Sequence, residues 1–111
     1  MKRYCLALDL VDDAEKIQQY QQYHQQVWPE ITTNIRNRGV LDMQIWQVEN
    51  RLFMIMDTTD DYDPNYAKSI ADSEPKNLEW ERLMSQYQQV LSSAKRGEKW
   101  IEMEKIFDLK Q

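Results

Sequence analysis

Cysteine is almost missing from this chain of 111 residues: Cys5 stands alone, so no internal disulfide can form. The packing of the core must hold the fold together. One cysteine and one histidine are too few soft ligands for a structural zinc site. Glycine is as scarce, with two residues, and no phosphate loop, dinucleotide fingerprint or Gly-x-Ser-x-Gly elbow occurs. No basic run exceeds two residues and the net charge is -5, which removes the positive footprint that nucleic acid requires. No apolar stretch approaches the length of a membrane-spanning helix. Met1-Lys2-Arg3-Tyr4 leads into a short alternating segment and not a signal-peptide core. No nucleic-acid or membrane partner is expected, and a reducing cytoplasm is the expected location.

What is present reads as one globular domain over residues 1–111, with 41% hydrophobic residues and charges of both signs interspersed. Aromatic content is skewed: four Trp and six Tyr against two Phe. Trp and Tyr join an apolar body to a hydrogen-bonding tip, which suits interfaces and pockets for polar ligands.

Tyr4 to Val11 alternates as a strand, with Tyr4, Leu6, Leu8 and Leu10 on one face. Asp12-Asp13 supplies a helix N-cap. Ile17, Tyr20, His24, Val27/Trp28, Ile31 and Ile35 recur at helical spacing from about Asp13 to Arg38. Pro29 cannot sit inside that helix, because it lacks the N–H that the Gln25 carbonyl would accept. A break at about Gln25–Trp28 is expected, with Pro29 restarting the helix at its first turn and Gly39 ending it in the left-handed region. Val40–Val48 and Leu52–Thr58 form a hairpin around Glu49-Asn50-Arg51. A short helix follows over about Pro64–Ala71, then a second from Ser73-Glu74-Pro75 to about Ser93. Trp100 to Leu109 alternates as a last strand. The order βαββαβ implies an α+β, ferredoxin-like sandwich, and the apolar second sheet face implies a homodimer of the dimeric α+β barrel kind.

His24 is the residue of interest. A lone histidine on an apolar helix stripe is either a satisfied core residue or a general acid/base, since its ordinary pKa, about 6.5, lies near neutrality. Tyr20, one turn earlier, shares its face, and the Pro29 break opens backbone beside it. Trp28 lies one turn later, displaced by that break. Trp80 sits on the inward stripe of the last helix with Glu81 at its edge. Asp9, Asp42 and Asp57 fall in strand patterns, where each is expected to point to solvent; Cys5 reads as a small buried hydrophobe. No cofactor is called for.

The run Tyr20-x-x-x-His24 followed by Val27-Trp28-Pro29-Glu30 resembles the signature of the L-rhamnose mutarotase family. The resemblance continues through Asn50-Arg51-Leu52-Phe53, Glu79-Trp80-Glu81-x-x-Met84, Gly97-Glu98-Lys99-Trp100 and Lys105-Ile106-Phe107-Asp108-Leu109, so it spans nearly the whole chain in order. It implies the ferredoxin-like fold, a dimer, and cofactor-free interconversion of the anomers of a deoxy sugar. It implies that His24 is the proton donor, that Tyr20 contacts the sugar and that Trp80 packs on it. Trp28, Met43 and Glu81 complete the expected substrate-binding set. The chain departs from the rhamnose enzymes at two of these positions: Met43 stands where they carry a tyrosine, and Glu81 where they carry a second tryptophan. A related branch acts on L-fucose. Other readings of the same fold are a cofactor-free monooxygenase and a small-molecule sensor.

Overall fold

The computed structural model describes residues 1–110. Its elements are β1 (Lys2–Leu10), α1 (Ala14–Gln25), α2 (Pro29–Asn37), β2 (Val40–Val48), β3 (Arg51–Thr58), α3 (Pro64–Ser73), α4 (Pro75–Ser85), β4 (Gln88–Gln89) and β5 (Ile101–Glu102). Asp13 caps α1, its carboxylate accepting from the Glu15 and Lys16 amides at 3.0 and 3.1 Å. The expected break falls in place: α1 stops at Gln25 and Pro29 occupies the first turn of α2. Trp28, with ψ 136°, makes the extended bend that a residue before proline prefers. Gly39 ends α2 with φ +97°, a region closed to most L side chains.

The sheet is antiparallel, in the order β2-β3-β1-β4, with β5 also on β1. This is the ferredoxin-like arrangement expected from the sequence, with two corrections. The last helix ends at Ser85, not about Ser93. There the edge of β1 offers backbone partners: the Tyr87 carbonyl accepts from the Val11 amide at 2.8 Å, and Gln88 and Gln89 pair with Leu10 and Asp9. The last strand is also far shorter than Trp100–Leu109. Only Ile101 and Glu102 pair, opposite Ala7 and Leu6, with the Met103 amide reaching the Cys5 carbonyl. Continuing that register would place Ile106 opposite Lys2, where β1 begins, so the apolar tail beyond it has no strand to join.

The core lies between the helices and one sheet face. Leu10, Tyr20, Ile31, Leu52, Trp80, Met84 and Tyr87 form its buried cluster, and Leu8 beside it is fully buried. The other face carries Cys5 and Ala7 opposite Ile55 and Phe53, all partly exposed, with a charged pair at each end. Arg3 grips Asp57 through two bonds of 2.8 and 3.0 Å, and Arg51 grips Asp9 through two of 2.7 and 3.1 Å. Asp9 and Asp57 therefore do not simply point to water. Each meets the arginine directly opposite in the ladder, which matches a planar guanidinium to a carboxylate. Asp42 is exposed, and Cys5 is only partly buried.

Candidate active site

The rings singled out on α1 and α4 come together at the helix break. Tyr20 and His24 lie one turn apart, with ring centroids 4.4 Å apart and planes tilted by 34°. Trp80 comes from α4, edge-on to His24 at 5.6 Å and to Trp28 at 5.0 Å. Trp28 follows His24 by four residues, the same face of a continuous helix, and the extended bend before Pro29 still leaves its indole against Trp80. Lys76 covers the Trp28 ring with its ammonium 5.6 Å from the centroid.

His24 Nδ1 lies 2.8 Å from the Tyr20 carbonyl oxygen. A carbonyl only accepts, so Nδ1 carries the proton and donates it. The neutral ring then has its free lone pair on Nε2, the arrangement of a general base. Burial holds the His24 pKa below its ordinary value, and the Tyr20 carbonyl opposes that shift by favouring the charged ring. Burial likewise pushes the Tyr20 phenol up, opposed by a hydrogen bond from Gln88. The site favours a neutral imidazole beside a neutral phenol, two groups able to bind hydroxyls without charge.

Glu81 is not drawn into this cluster. Its Oε1 accepts from Asn77 Nδ2 at 3.4 Å, and its charge offsets the burial of the Arg38 guanidinium. Arg38 also donates to Asn34 at 2.9 Å and to Asn77 at 3.1 Å, so Glu81 belongs to a polar network that ties α2 to α4. Successive residues on a helix point about 100° apart, which explains why Trp80 and Glu81 diverge. Met43 lies on the helix-covered side of the sheet, opposite Met56 on β3, and is partly buried.

Tyr23, Tyr87 and Gln88 were not among the expected site residues. Tyr23 packs on both Trp80 and Tyr87, at 6.1 and 6.0 Å, and Gln88 Nε2 donates to the Tyr20 hydroxyl at 3.4 Å. Tyr23 lies off the α1 stripe by one position, and Gln88 was placed on a helix that has already ended. A hollow of about 410 Å³ lined by Trp28, Glu79, Arg82, Leu83 and Gln86 adjoins the cluster but does not take in His24. Among the described residues no three His, Cys, Asp or Glu side chains converge as a metal site would require, and no helix is long and apolar enough to cross a membrane.

The model of the L-rhamnose mutarotase family matches residues 3–109. The chain belongs to that family. It is a sugar mutarotase and therefore an isomerase, which decides against the monooxygenase and sensor readings. An L-fucose mutarotase of Xanthomonas campestris pv. campestris is 40% identical over 114 residues, covering 100% of this chain and 90% of that one. An L-rhamnose mutarotase from Formosa agariphila has the same fold, with a TM-score of 0.72 at 21% identity over 98% of this chain and 99% of that one. A dimeric ferredoxin-like protein from an uncultured marine organism matches with a TM-score of 0.53 at 15% identity, over 86% of this chain and 91% of that one. Both structural likenesses concern the fold alone.

Proposed function

We propose that the protein interconverts the α and β anomers of L-rhamnose, with His24 as its acid–base group. One observation carries the reading: the Tyr20 carbonyl fixes the His24 proton on Nδ1 and leaves Nε2 its lone pair in a cluster of aromatic rings. In the proposed reaction Nε2 takes the proton of the anomeric hydroxyl. The O–H electron pair forms the carbonyl, the bond from the anomeric carbon to the ring oxygen breaks, and that oxygen receives the proton from the imidazolium. The aldehyde end turns and the same steps run backwards on its other face, so the ring nitrogen ends as it began. Tyr20 orients a hydroxyl, and Trp80 with Trp28 covers an apolar face of the sugar. Met43 is assigned to the sugar-binding wall. Glu81, held toward Asn77, takes part only through a water. The reaction as written uses no cofactor.

General acid–base catalysis typically contributes about 10²–10⁴-fold, so His24→Gln should slow anomer exchange by that order while the circular dichroism spectrum is kept. Unchanged exchange in saturation-transfer NMR would remove His24 from the mechanism. L-fucose is the second reading. The 40% identical relative acts on it, and Met43 and Glu81 stand where the rhamnose enzymes carry aromatic residues. Exchange measured on both sugars at equal concentration decides between them.

We further propose a homodimer closed through the open sheet face, a single mutarotase domain over residues 1–111, and a cytoplasmic location. The exposed Trp46 and Val48 and the dimeric ferredoxin-like neighbour support the first. The family match over residues 3–109 supports the second. The lone thiol of Cys5 suits a reducing compartment and supports the third.

A further inference from the structure

Gln88 holds an amide that the core does not need. It lies on β4 opposite Leu10, at the border of the cluster formed by Leu10, Tyr20 and Tyr87. A leucine of similar volume would pack there without any polar group to satisfy. The Gln88 Nε2 donates to the Tyr20 hydroxyl oxygen at 3.4 Å. Its Oε1 is buried and is the one buried side-chain nitrogen or oxygen among the described residues with no hydrogen-bond partner. Exchanging the amide oxygen and nitrogen does not help: the phenol could then donate to the oxygen, and the nitrogen would be left without a partner. Buried polar atoms without partners are destabilising and rare in native cores, so one that persists calls for a ligand or a water.

We infer that Gln88 and Tyr20 together form a subsite for one hydroxyl of the sugar, with Gln88 a substrate-binding residue that helps set specificity. One sugar hydroxyl supplies what the donor and acceptor inventory lacks. Gln88 Nε2 donates to the phenol oxygen, which leaves the phenol O–H free to donate outward. A sugar hydroxyl accepts that proton and gives its own to Gln88 Oε1, so the phenol proton and the amide oxygen both gain a partner. The phenol alone offers a hydroxyl a single bond in either sense. The pair demands a donor and an acceptor on one oxygen, which hydroxyl possesses and hydrogen or an ether lacks. A site built to bond a hydroxyl rejects the analogue without it, because its buried polar groups are then left unpaired. The inference rests on the reading of this cluster as the sugar site.

The test is steady-state anomer exchange by NMR on L-rhamnose and L-fucose with Gln88→Leu, Gln88→Met, Tyr20→Phe and the Gln88→Leu/Tyr20→Phe double variant. Each Gln88 variant should raise KM about ten-fold, roughly what one lost hydrogen bond contributes, with kcat changed about two-fold or less. The double variant should raise KM by less than the product of the two single effects, since the two groups serve one hydroxyl. Among monodeoxy analogues, one should bind about ten-fold more weakly to the wild type and equally well to Gln88→Met. Gln88→Met keeps the length of the side chain, so it reports even if the leucine variant does not fold. An unchanged KM in Gln88→Met, whatever its melting temperature, would make Gln88 a structural amide satisfied by a water and overturn the inference. A KM effect that adds fully to that of Tyr20→Phe would overturn the pairing. Absence of exchange by the wild type on every deoxy sugar tried would instead sink the reading of the site on which the inference stands.

Discussion

At the scale of single residues, His24 is set by two opposing effects. Burial favours the neutral ring, and the Tyr20 carbonyl favours the charged one; burial prevails and the pKa falls below its ordinary value. If neutral His24 starts the reaction, the acid limb of the exchange-rate profile should lie below pH of about 6.5, the value of a free imidazole. An acid limb at or above that pH would contradict a buried neutral base. Stability follows the same sign. A histidine whose folded pKa is depressed contributes stability above the unfolded pKa, and that contribution is lost as pH falls toward the folded pKa. Urea midpoints should therefore fall as pH is lowered through the range just below about 6.5, and less steeply in His24→Gln. His24 and Tyr20 were legible because a helix repeats every 3.6 residues and places them on one face. The tautomer was not, since it depends on which atom the ring happens to reach. The direction of Glu81 was not legible for a related reason: sequence adjacency to Trp80 says nothing about the 100° between their directions on the helix.

At the scale of elements, two backbone residues place the site, and both could be read in advance. Pro29 splits one apolar stripe into α1 and α2, and Gly39 turns the chain from α2 into β2. A Cβ on Gly39 would stand 3.2 Å from Thr59 Oγ1, and φ +97° is strained for any L side chain. Gly39→Ala should therefore cost more than about 1 kcal/mol, seen as a lower denaturant midpoint with unchanged slope. Exchange by the molecules that remain folded should be normal, because Gly39 touches none of the site rings. A midpoint equal to the wild type would show that the loop relaxes. The end of α4 and the length of the last strand were not legible, and the cause is the same in both. No proline or glycine marks Ser85, and Trp100–Leu109 alternates faithfully, yet both ends are decided by where the edge of β1 lies. Gln88 and Gln89 keep a helical pattern on paper and pair with β1 in the fold. Local preference yields there to a partner that only the tertiary structure supplies.

At the scale of the whole molecule, the sheet has one face too many. The helices cover one side, while the other leaves Trp46 and Val48 60% and 68% exposed beside Phe53, Ile55, Ala7 and Cys5. In the tail, Ile106 and Leu109 are exposed as well, at 92% and 85%. Contiguous apolar surface rimmed by charge marks an association site more often than a free surface. Here the rim is the two bidentate pairs, Arg3–Asp57 and Arg51–Asp9, at opposite ends of β1 and β3. With the guanidinium and carboxylate of each pair already satisfied within one chain, the centre of the face can be desolvated without burying a lone charge. A second copy related by a two-fold axis presents the same apolar centre and the same paired ends, so the surface is complementary to itself. Burying a phenylalanine side chain stabilises by about 1.5–3 kcal/mol, and a charge in its place cannot be paired at the centre of such an interface. Phe53→Lys should therefore raise the dimer dissociation constant by at least about ten-fold, measured by analytical ultracentrifugation across a dilution series. Trp46→Glu should act in the same direction. Because the His24 cluster lies on the opposite, helix-covered side, the folded monomer should still exchange anomers unless its tail or sheet loosens. Sedimentation as a monomer by the wild type at concentrations well above those of the assay would refute the dimer, whereas a wild-type dimer left intact by Phe53→Lys would move its contact to another surface.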